Sequence, residues 1–319
     1  MAGSAWDNRM SEFELKIMQP DQWDDVAALI YDSTNAWYVA NGKPAIFTGP
    51  RDSTRLFCEV YEALDPGCCV IAEDVETGSL AGSCFFHPRI THVSLGIMNV
   101  SEDYFGQGVA RKLLRYITQF SKQRGLPIRL VSSAMNLDSF SLYNREGFVP
   151  TQVFQDMILT VPEDGLQVEV PVDASNVRSA VIEDLPAIIR LEREVSGIER
   201  DRDWEYFISN EAGIWHVLVY VGGDGRIKGV LASVNHPGST MIGPGVMLSD
   251  EQAIALVYEQ LNHLAGATPV WLIPSLRKNL VSTMYKWGAK NCELHFAQVL
   301  GPASPVEGVV MPTFMPETG

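Results

Sequence analysis

Residues 92–125 have the sequence HVSLGIMNVSEDYFGQGVARKLLRYITQFSKQRG, and this stretch decides the fold. An apolar run from Val93 to Val100 predicts a β-strand, and a loop from Ser101 to Gln107 follows it. From Gly108 onward, apolar residues recur at the spacing of one face of an α-helix, and Gly125 ends the pattern. The stretch is therefore predicted to form a strand, a loop and a helix.

The connection between this strand and helix consists largely of small residues. Its sequence is Phe105, Gly106, Gln107, Gly108, Val109, Ala110 and Arg111. Backbone N–H groups at a helix N-terminus can hold a phosphate or pyrophosphate, since the helix dipole is positive there. Glycine lets an anion reach the amides because it has no Cβ. The turn by itself is equally typical of an ordinary strand-to-helix connection, so both interpretations stay open at this point.

The residues after Gly125 continue the alternation of strands and helices. Ile128 to Ser133 is a short run that favours β-structure and predicts a strand. Asn136 to Phe148 has the pattern of a helix capped by asparagine and ended by glycine. The run from Val153 to Val161 predicts one more strand.

In their order and separation these segments resemble the GNAT superfamily of N-acetyltransferases. The acyl-CoA signature of the superfamily, Gln/Arg-x-x-Gly-x-Gly/Ala, is matched at Gly108 and Ala110, whereas Phe105 stands where Arg or Gln is usual. A later block, an Asn followed by a helix ending in Leu-Tyr-x-x-x-Gly-Phe, is matched by Asn136, Leu142, Tyr143, Gly147 and Phe148.

The resemblance implies acetyl-CoA as co-substrate and direct attack of an amine on the thioester. The pyrophosphate is then expected over residues 105–110, and the pantetheine arm along the predicted strand. The implied cofactor-binding residues are Met98, Asn99, Val100, Phe105, Gly106, Gln107, Gly108, Val109, Ala110, Arg111, Asn136 and Ser139. Tyr143 occupies the position from which superfamily members donate a proton to the departing sulfur, and the alternative is that it only packs on a helix. For Asn136 the alternative to cofactor binding is that it caps the helix.

The base that takes the proton of the amine is not fixed by the sequence. Many relatives carry a Glu on the central strand, and residues 93–100 contain no carboxylate. His92 and His87 are candidates, because an unperturbed imidazole titrates near neutral pH. A water-relayed base, or deprotonation in bulk solvent, stays open. No His/Cys cluster has the spacing of metal ligands, so no metal is expected.

Length and composition limit the remaining choices. The chain has 319 residues, which suggests two domains. Its net charge of −15 argues against nucleic acid and acidic membranes as partners. A negative protein would suit a cationic acceptor, but the charge can equally serve solubility alone. There is no run of 18 apolar residues, so no membrane span is expected. Five cysteines without CxxC spacing indicate reduced thiols and a cytoplasmic location.

The second half of the sequence faintly repeats the first, which predicts two copies of one fold. The counterpart of the glycine-rich loop is expected at Ile242–Glu251, where Pro244 removes a backbone donor and Asp250 and Glu251 repel an anion. This copy resembles the degenerate domain of tandem GNAT proteins. Arg200 and Arg202 are expected in a solvated loop of mixed charge, with acceptor contact as the alternative.

The prediction as a whole is an α/β (α+β) protein with two tandem GNAT-like domains, each a mixed, mostly antiparallel sheet flanked by helices. The predicted parts are a disordered leader at 1–12, a catalytic acetyl-CoA-binding domain at 13–162, a linker at 163–176, a degenerate domain at 177–312 and a tail at 313–319. The predicted activity is acetyl transfer to a primary amine of a small molecule or peptide. A non-catalytic acyl-CoA-binding protein and transfer of another acyl group are the alternatives. The acceptor is not identified, and homodimer formation stays open.

Overall fold

The computed structural model describes residues 12–313, so all but Glu12 of the predicted leader and all but Thr313 of the predicted tail lie outside the described residues. The strands are β1 Phe13–Ile17, β2 Cys69–Asp74, β3 Leu80–Pro88, β4 Val93–Val100, β5 Ile128–Ser133, β6 Val149–Ile158, β7 Val177–Ser179, β8 Trp215–Val221, β9 Ile227–His236, β10 Ser239–Met247, β11 Val270–Pro274, β12 Lys290–Leu300 and β13 Val309–Met311. The α-helices are α1 Trp23–Ala40, α2 Arg55–Leu64, α3 Val109–Arg124, α4 Leu137–Arg145, α5 Leu185–Ser196, α6 Asp201–Ser209, α7 Asp250–His263 and α8 Lys278–Lys286. Among the described residues, no helix has the length and hydropathy needed to cross a membrane.

The chain divides into two compact units. The first contains the residues up to Phe86 together with Ile97–Phe120, and the second contains His87–Gly96 together with the chain from Ser121 onward. These units differ from the two predicted domains because the second unit includes β5, α4 and β6. The predicted boundary at residues 163–176 therefore stays a prediction.

In the first unit, an antiparallel set of strands carries the helices α1 and α2. β1 pairs with β2 and β2 with β3, both antiparallel, and the end of β4 lies next to β3. Val26 and Ile30 of α1 are fully buried, so this face of the amphipathic helix packs into the core. α1 continues to Ala40.

The helix predicted after the glycine-rich loop is α3. Val109, Leu113 and Ile117 are buried as the periodicity predicts, and Phe120 is half-buried. Full burial of one such side chain contributes about 1.5–3 kcal/mol to stability, so this face holds the helix in place. Gly125 follows the helix with a φ of +67°, which is the left-handed conformation that ends many helices.

The second unit contains a continuous sheet. Its strand order runs from the first residues of β4 through β5, β12, β6, β11, β10, β9 and β8 to β7, and β13 pairs with β10. Among the described strands of this unit, β4–β5 and β10–β11 are parallel and the other pairs are antiparallel. With helices packed on the strands, the predicted fold class is confirmed: a mixed, mostly antiparallel α/β protein.

The two predicted halves exchange strands within this sheet. β12, from the end of the chain, lies between β5 and β6, and β6 in turn lies between β12 and β11. β5 and β6, which are neighbours in the sequence, are therefore not paired with each other. The sequence predicts β6 at 153–161, whereas the structure places it at Val149–Ile158.

The predicted counterpart of the glycine-rich loop in the second half does not have the structure of a loop. Residues 242–247 belong to β10, and only Leu248 and Ser249 separate this strand from α7. The backbone amides of both residues donate to Oε1 of Gln252, at 3.0 and 3.1 Å. Because this side chain caps the helix and two acidic residues open its first turn, the N-terminus of α7 is unsuited to an anion.

Candidate functional site

The connection from β4 to α3 lies in the first unit and presents unused backbone donors. Gly106 and Gly108 have φ angles of +77° and +87°, which side chains with a Cβ rarely adopt. Among the described residues, the amides of these two glycines make no hydrogen bond to another backbone group. The first amides of α3, on Val109, Ala110 and Arg111, have no preceding helical turn to donate to. The N-terminus of α3 is thus equipped to bind an anion.

The charge around this N-terminus also suits an anion. The first turn of α3 contains no acidic residue, whereas α7 opens with Asp250 and Glu251. A negative group at a helix N-terminus is stabilised by about 0.3–1 kcal/mol from the dipole, in addition to its hydrogen bonds. The contrast agrees with the sequence-based interpretation, in which only the first half keeps a phosphate-binding loop.

Phe105 and Gln107 contribute differently to the loop. The Phe105 side chain is 52% exposed, and its amide donates to the carbonyl of Glu102 at 3.2 Å. The Gln107 amide donates to the carbonyl of Tyr104 at 3.3 Å. Both amides therefore hold the loop in shape, which leaves anion binding to the amides named above.

Gly82 on β3 is a structural requirement of this region that the sequence patterns do not reveal. A Cβ on Gly82 would lie 2.8 Å from Cγ1 of Val109 and 2.9 Å from the carbonyl oxygen of Asn99. Contacts under 3.0 Å are not tolerated without a shift of the neighbours. The absence of a side chain at Gly82 thus lets β3, β4 and the start of α3 approach one another.

The strand residues assigned to cofactor binding, Met98, Asn99 and Val100, lie at the end of β4. Met98 and Val100 are half-buried, and Asn99 is 8% exposed. The Asn99 side chain donates to Oγ of Ser33 at 2.8 Å and to Oγ1 of Thr34 at 3.1 Å, both on α1. Its Oδ1 atom is buried without a hydrogen-bond partner. The side chain of Asn99 therefore faces α1, and any pairing with a pantetheine arm would use the backbone.

Asn136, Ser139 and Tyr143 lie in the second unit, on or beside α4. Oδ1 of Asn136 accepts a hydrogen bond from the Ser139 amide at 3.0 Å, so Asn136 is the N-cap of α4. Tyr143 is 6% exposed, and its ring packs on that of Phe148 with centroids 5.7 Å apart. Both residues thus have the structural roles that the sequence left open beside the functional ones.

His92, the candidate base, is buried in the second unit. Its Nδ1 lies 3.0 Å from Oγ1 of Thr91, and its Nε2 lies 3.1 Å from Oγ of Ser94. Burial lowers the pKa of His92 well below its usual range, and Arg129, Arg200 and other cationic groups nearby lower it further. The ring is therefore neutral at pH 7, and hydroxyl groups face both of its nitrogens. A buried imidazole with both nitrogens facing hydroxyl groups is a poorer proton acceptor than an accessible histidine at the start of a strand.

A network of buried ion pairs surrounds this histidine in the second unit. Arg89 donates to Asp203 from Nε at 2.9 Å and from Nη2 at 2.6 Å. Nε of Arg200 donates to Oε1 of Glu192 at 2.7 Å, and burial lowers the pKa of Arg129 to about 10. The prediction of a solvated loop at Arg200 is wrong, since α6 packs this segment inward and Arg200 is buried; only Arg202 is exposed as expected.

A second buried cluster lies on neighbouring strands of the exchange region and contains Asp156, Glu293 and His295. Nδ1 of His295 lies 2.9 Å from Oδ1 of Asp156, and its Nε2 lies 3.9 Å from Oε1 of Glu293. Oγ of Ser133 on β5 donates to Oε1 of Glu293. Sequence spacing could not predict the cluster because its members on β6 and β12 are far apart in the chain.

Comparison with known proteins agrees with the fold and the loop. Residues 30–148 match the family model described as the Acetyltransferase (GNAT) family, and this segment contains the β4–α3 loop. No curated protein matches the chain by sequence.

The structural neighbours cover nearly the whole chain. A provisionally assigned acetyltransferase from Pyrococcus horikoshii aligns over 95% of this chain and 92% of its own, with 18% identity and a TM-score of 0.70. A tandem GNAT protein from the clavulanic acid biosynthesis pathway aligns over 92% of this chain and 100% of its own, with 11% identity and a TM-score of 0.58. The Saccharomyces cerevisiae N-myristoyltransferase with bound myristoyl-CoA aligns over 90% and 82%, with 12% identity and a TM-score of 0.57. At these identities the neighbours establish the fold alone.

The loop at the N-terminus of α3, the matched family segment and the fold all lead to one assignment. Residues 30–148 match the GNAT acetyltransferase family, and the chain as a whole has the fold of GNAT proteins.

Proposed function

We propose that this protein is an N-acetyltransferase that moves an acetyl group from acetyl-CoA directly to the primary amine of a small molecule or peptide. Acyl-CoA-dependent acyl transfer is the general chemistry of the GNAT fold. The observation that supports the proposal most strongly is the set of unused amides at Gly106, Gly108 and the start of α3, inside the matched family segment. Acetyl as the donor group and an amine as the acceptor are the specific parts of the proposal.

The residues of the β4–α3 loop fit an acyl-CoA. Several convergent amides at the N-terminus of α3 are suited to the pyrophosphate, and the first turn of the helix carries no competing carboxylate. A Cβ on Gly108 would meet nothing within 4 Å, so the space above this glycine is open. When bound, the co-substrate supplies an activated thioester; the protein needs to orient the amine, accept its proton and donate a proton to the departing sulfur.

We propose Tyr143 as the proton donor, with its Oη as the atom that releases the proton. Support comes from the superfamily block matched around it and from its burial on α4, which fixes the ring against Phe148. A buried phenol loses little orientational freedom when it donates, which suits a positioned general acid. His92 stays the candidate base from the sequence, although its hydroxyl partners argue for a neutral ring held in place.

We also propose that the second half is a degenerate GNAT-like domain with no acyl-CoA site of its own. This rests on α7, where the Gln252 side chain accepts from the amides of Leu248 and Ser249 just before the helix, and where the first turn is acidic. The negative net charge of the chain would favour a cationic acceptor, with solubility as the other explanation for it.

The test is calorimetric titration of the full chain with acetyl-CoA, comparing Gly108→Glu with the matched control Gly213→Glu. Gly213 also lies in open space and has a positive φ of +68°, so the two variants add the same charge and a similar backbone strain. We expect one site per chain, lost in Gly108→Glu and kept in Gly213→Glu. No binding to the wild-type protein would refute the proposal, and two sites per chain would refute the degenerate second half.

Catalysis and donor choice need a second measurement once binding is established. Release of free CoA is followed over a panel of primary amines, with acetyl-, succinyl- and myristoyl-CoA as donors. Turnover with acetyl-CoA supports the proposal. Binding without turnover on any amine would instead favour a non-catalytic acyl-CoA-binding protein. The specific arguments for that alternative are that Phe105 replaces the Arg or Gln of the superfamily signature and that β4 has no carboxylate.

A further inference from the structure

The cluster of Asp156, Glu293 and His295 brings three ligating side chains to one face of the sheet. Asp156 of β6 is directly opposite Glu293 of β12, and His295 lies two residues further along β12, so its side chain points to the same face. A β-bulge between Asn291 and Glu293 sets this register. The strand exchange is therefore what assembles the cluster.

The three side chains are spaced for a small cation. One candidate ligand atom from each residue lies within 4.8 Å of the other two, and Nε2 of His295 is 3.9 Å from Oε1 of Glu293. Ligand bonds of about 2.0–2.2 Å to zinc place two ligands of a tetrahedral site roughly 3.4 Å apart. Asp156 faces Nδ1 of His295 and Glu293 faces Nε2, and only one of these nitrogens can coordinate a given ion. One of the two carboxylates therefore has to turn toward the coordinating nitrogen when the ion binds.

The burial and charge of the cluster also favour a cation. Asp156, His295 and Glu293 are 3%, 5% and 9% exposed, so two carboxylates lie side by side away from water. Two adjacent buried carboxylates are stabilised by a proton or by a metal ion, and a divalent ion would neutralise both together.

We propose that Asp156, Glu293 and His295 bind one divalent transition-metal ion of the zinc class. An imidazole nitrogen together with two carboxylate oxygens favours Zn²⁺ and its neighbours over Mg²⁺ or Ca²⁺, which prefer oxygen ligands alone. Three protein ligands leave a further position for water, as in zinc sites with an open coordination position.

The experiment titrates ZnCl₂ into the EDTA-treated full chain by calorimetry, without any acyl-CoA. We expect one site per chain, with affinity lowered about 100-fold or more in each of Asp156→Asn, Glu293→Gln and His295→Gln, since loss of a direct ligand exceeds the effect of its outer partners. His263→Gln is the control: it removes an imidazole from the same unit, where His263 stacks on His216 with centroids 3.6 Å apart. It should leave the affinity unchanged.

Several results would overturn the proposal. If zinc binding persists in all three variants, or disappears in His263→Gln, the metal binds elsewhere. If the wild-type chain does not bind zinc, the cluster is only a hydrogen-bonded network. If the His295 variant does not fold, Co²⁺ loaded into the wild-type chain gives the answer. Visible absorption bands of four- or five-coordinate Co²⁺, lost when one equivalent of Zn²⁺ displaces the Co²⁺, support the proposal. The absorption spectrum of hydrated Co²⁺ refutes it. All these readouts are independent of acetyl transfer.

Discussion

Replacement of Asp203 by asparagine should destabilise the second unit far more than the loss of an ordinary surface charge. The guanidinium of Arg89 and the carboxylate of Asp203 form a two-bond pair, at 2.6 and 2.9 Å, with side chains that are 2% and 0% exposed. The asparagine would keep the shape of the side chain but remove its charge. The Arg89 cation would then lose its ion-pair partner in a place that water does not reach.

The expected cost follows from the burial of this pair. Removing one partner of a buried ion pair costs about 3–5 kcal/mol, because the remaining charge stays desolvated. Asp203 also lies in the first turn of α6, where loss of a negative charge adds about 0.3–1 kcal/mol. Burial raises the pKa of Glu192 and the charge of Asp203 raises it further, so removal of that charge relieves this carboxylate slightly and offsets part of the cost. A net loss of about 3–5 kcal/mol is expected.

The assay is equilibrium denaturant unfolding followed by tryptophan fluorescence, which the buried Trp204 beside Asp203 makes sensitive to this region. Asp32→Asn is the matched control, because Asp32 accepts two hydrogen bonds from Arg51 with side chains that are 53% and 61% exposed, and an exposed pair contributes only about 0–1 kcal/mol. The double variant Arg89→Met with Asp203→Leu should lose much less than the sum of its two single variants. If Asp203→Asn unfolds within about 1 kcal/mol of the wild type, like the control, the reasoning from burial is refuted.

Three further predictions concern single side chains. Tyr143→Phe should lower turnover by about 10²–10⁴-fold, the usual contribution of a general acid, with acetyl-CoA affinity by calorimetry little changed; equal turnover would remove Tyr143 from the mechanism. His92 has a folded-state pKa well below its unfolded value, so the unfolded chain binds more protons and the protein loses up to about 1.4 kcal/mol per pH unit as the pH falls below about 6.5. Denaturant unfolding at pH 7.5 and 5.5 should show a smaller loss in His92→Gln, and an identical loss would contradict the assigned burial effect. Gly82→Ala should cost about 1–3 kcal/mol through its 2.8 Å clash, against a near-neutral Gly223→Ala; a thermal melt that ranks the two equally would be inconsistent with this packing.

Much of the candidate site could be predicted from the sequence because its determinants are local. The strand, loop and helix from Val93 to Gly125 follow from apolar periodicity and from two glycines, and the structure places them within a residue or two of the prediction. The capping role of Asn136 is local in the same way, since the side chain bonds an amide three residues away. The fold class, and the strand, loop and helix of the proposed acyl-CoA site, could therefore be predicted without coordinates.

The sequence was less informative where several conformations fit the same pattern. The predicted loop at Arg200 is an example, because a mixed-charge run is compatible with solvent exposure until its partners are known. Only tertiary packing places Glu192 beside Arg200 and Asp203 beside Arg89. In the same way, the backbone contacts around Gly82 are long-range, so no pattern within β3 reveals why a side chain is excluded there.

The sequence by itself determined the glycine-rich loop between β4 and α3, the helix that follows it and the cap of α4, since each depends on residues close together in the chain. Only the tertiary structure decided the strand exchange, in which β12 separates β5 from β6, because pairing between distant strands depends on which edges meet rather than on local propensity. The cluster of Asp156, Glu293 and His295 is a direct consequence of that pairing. The proposed metal site thus depends on contacts between residues far apart in the sequence.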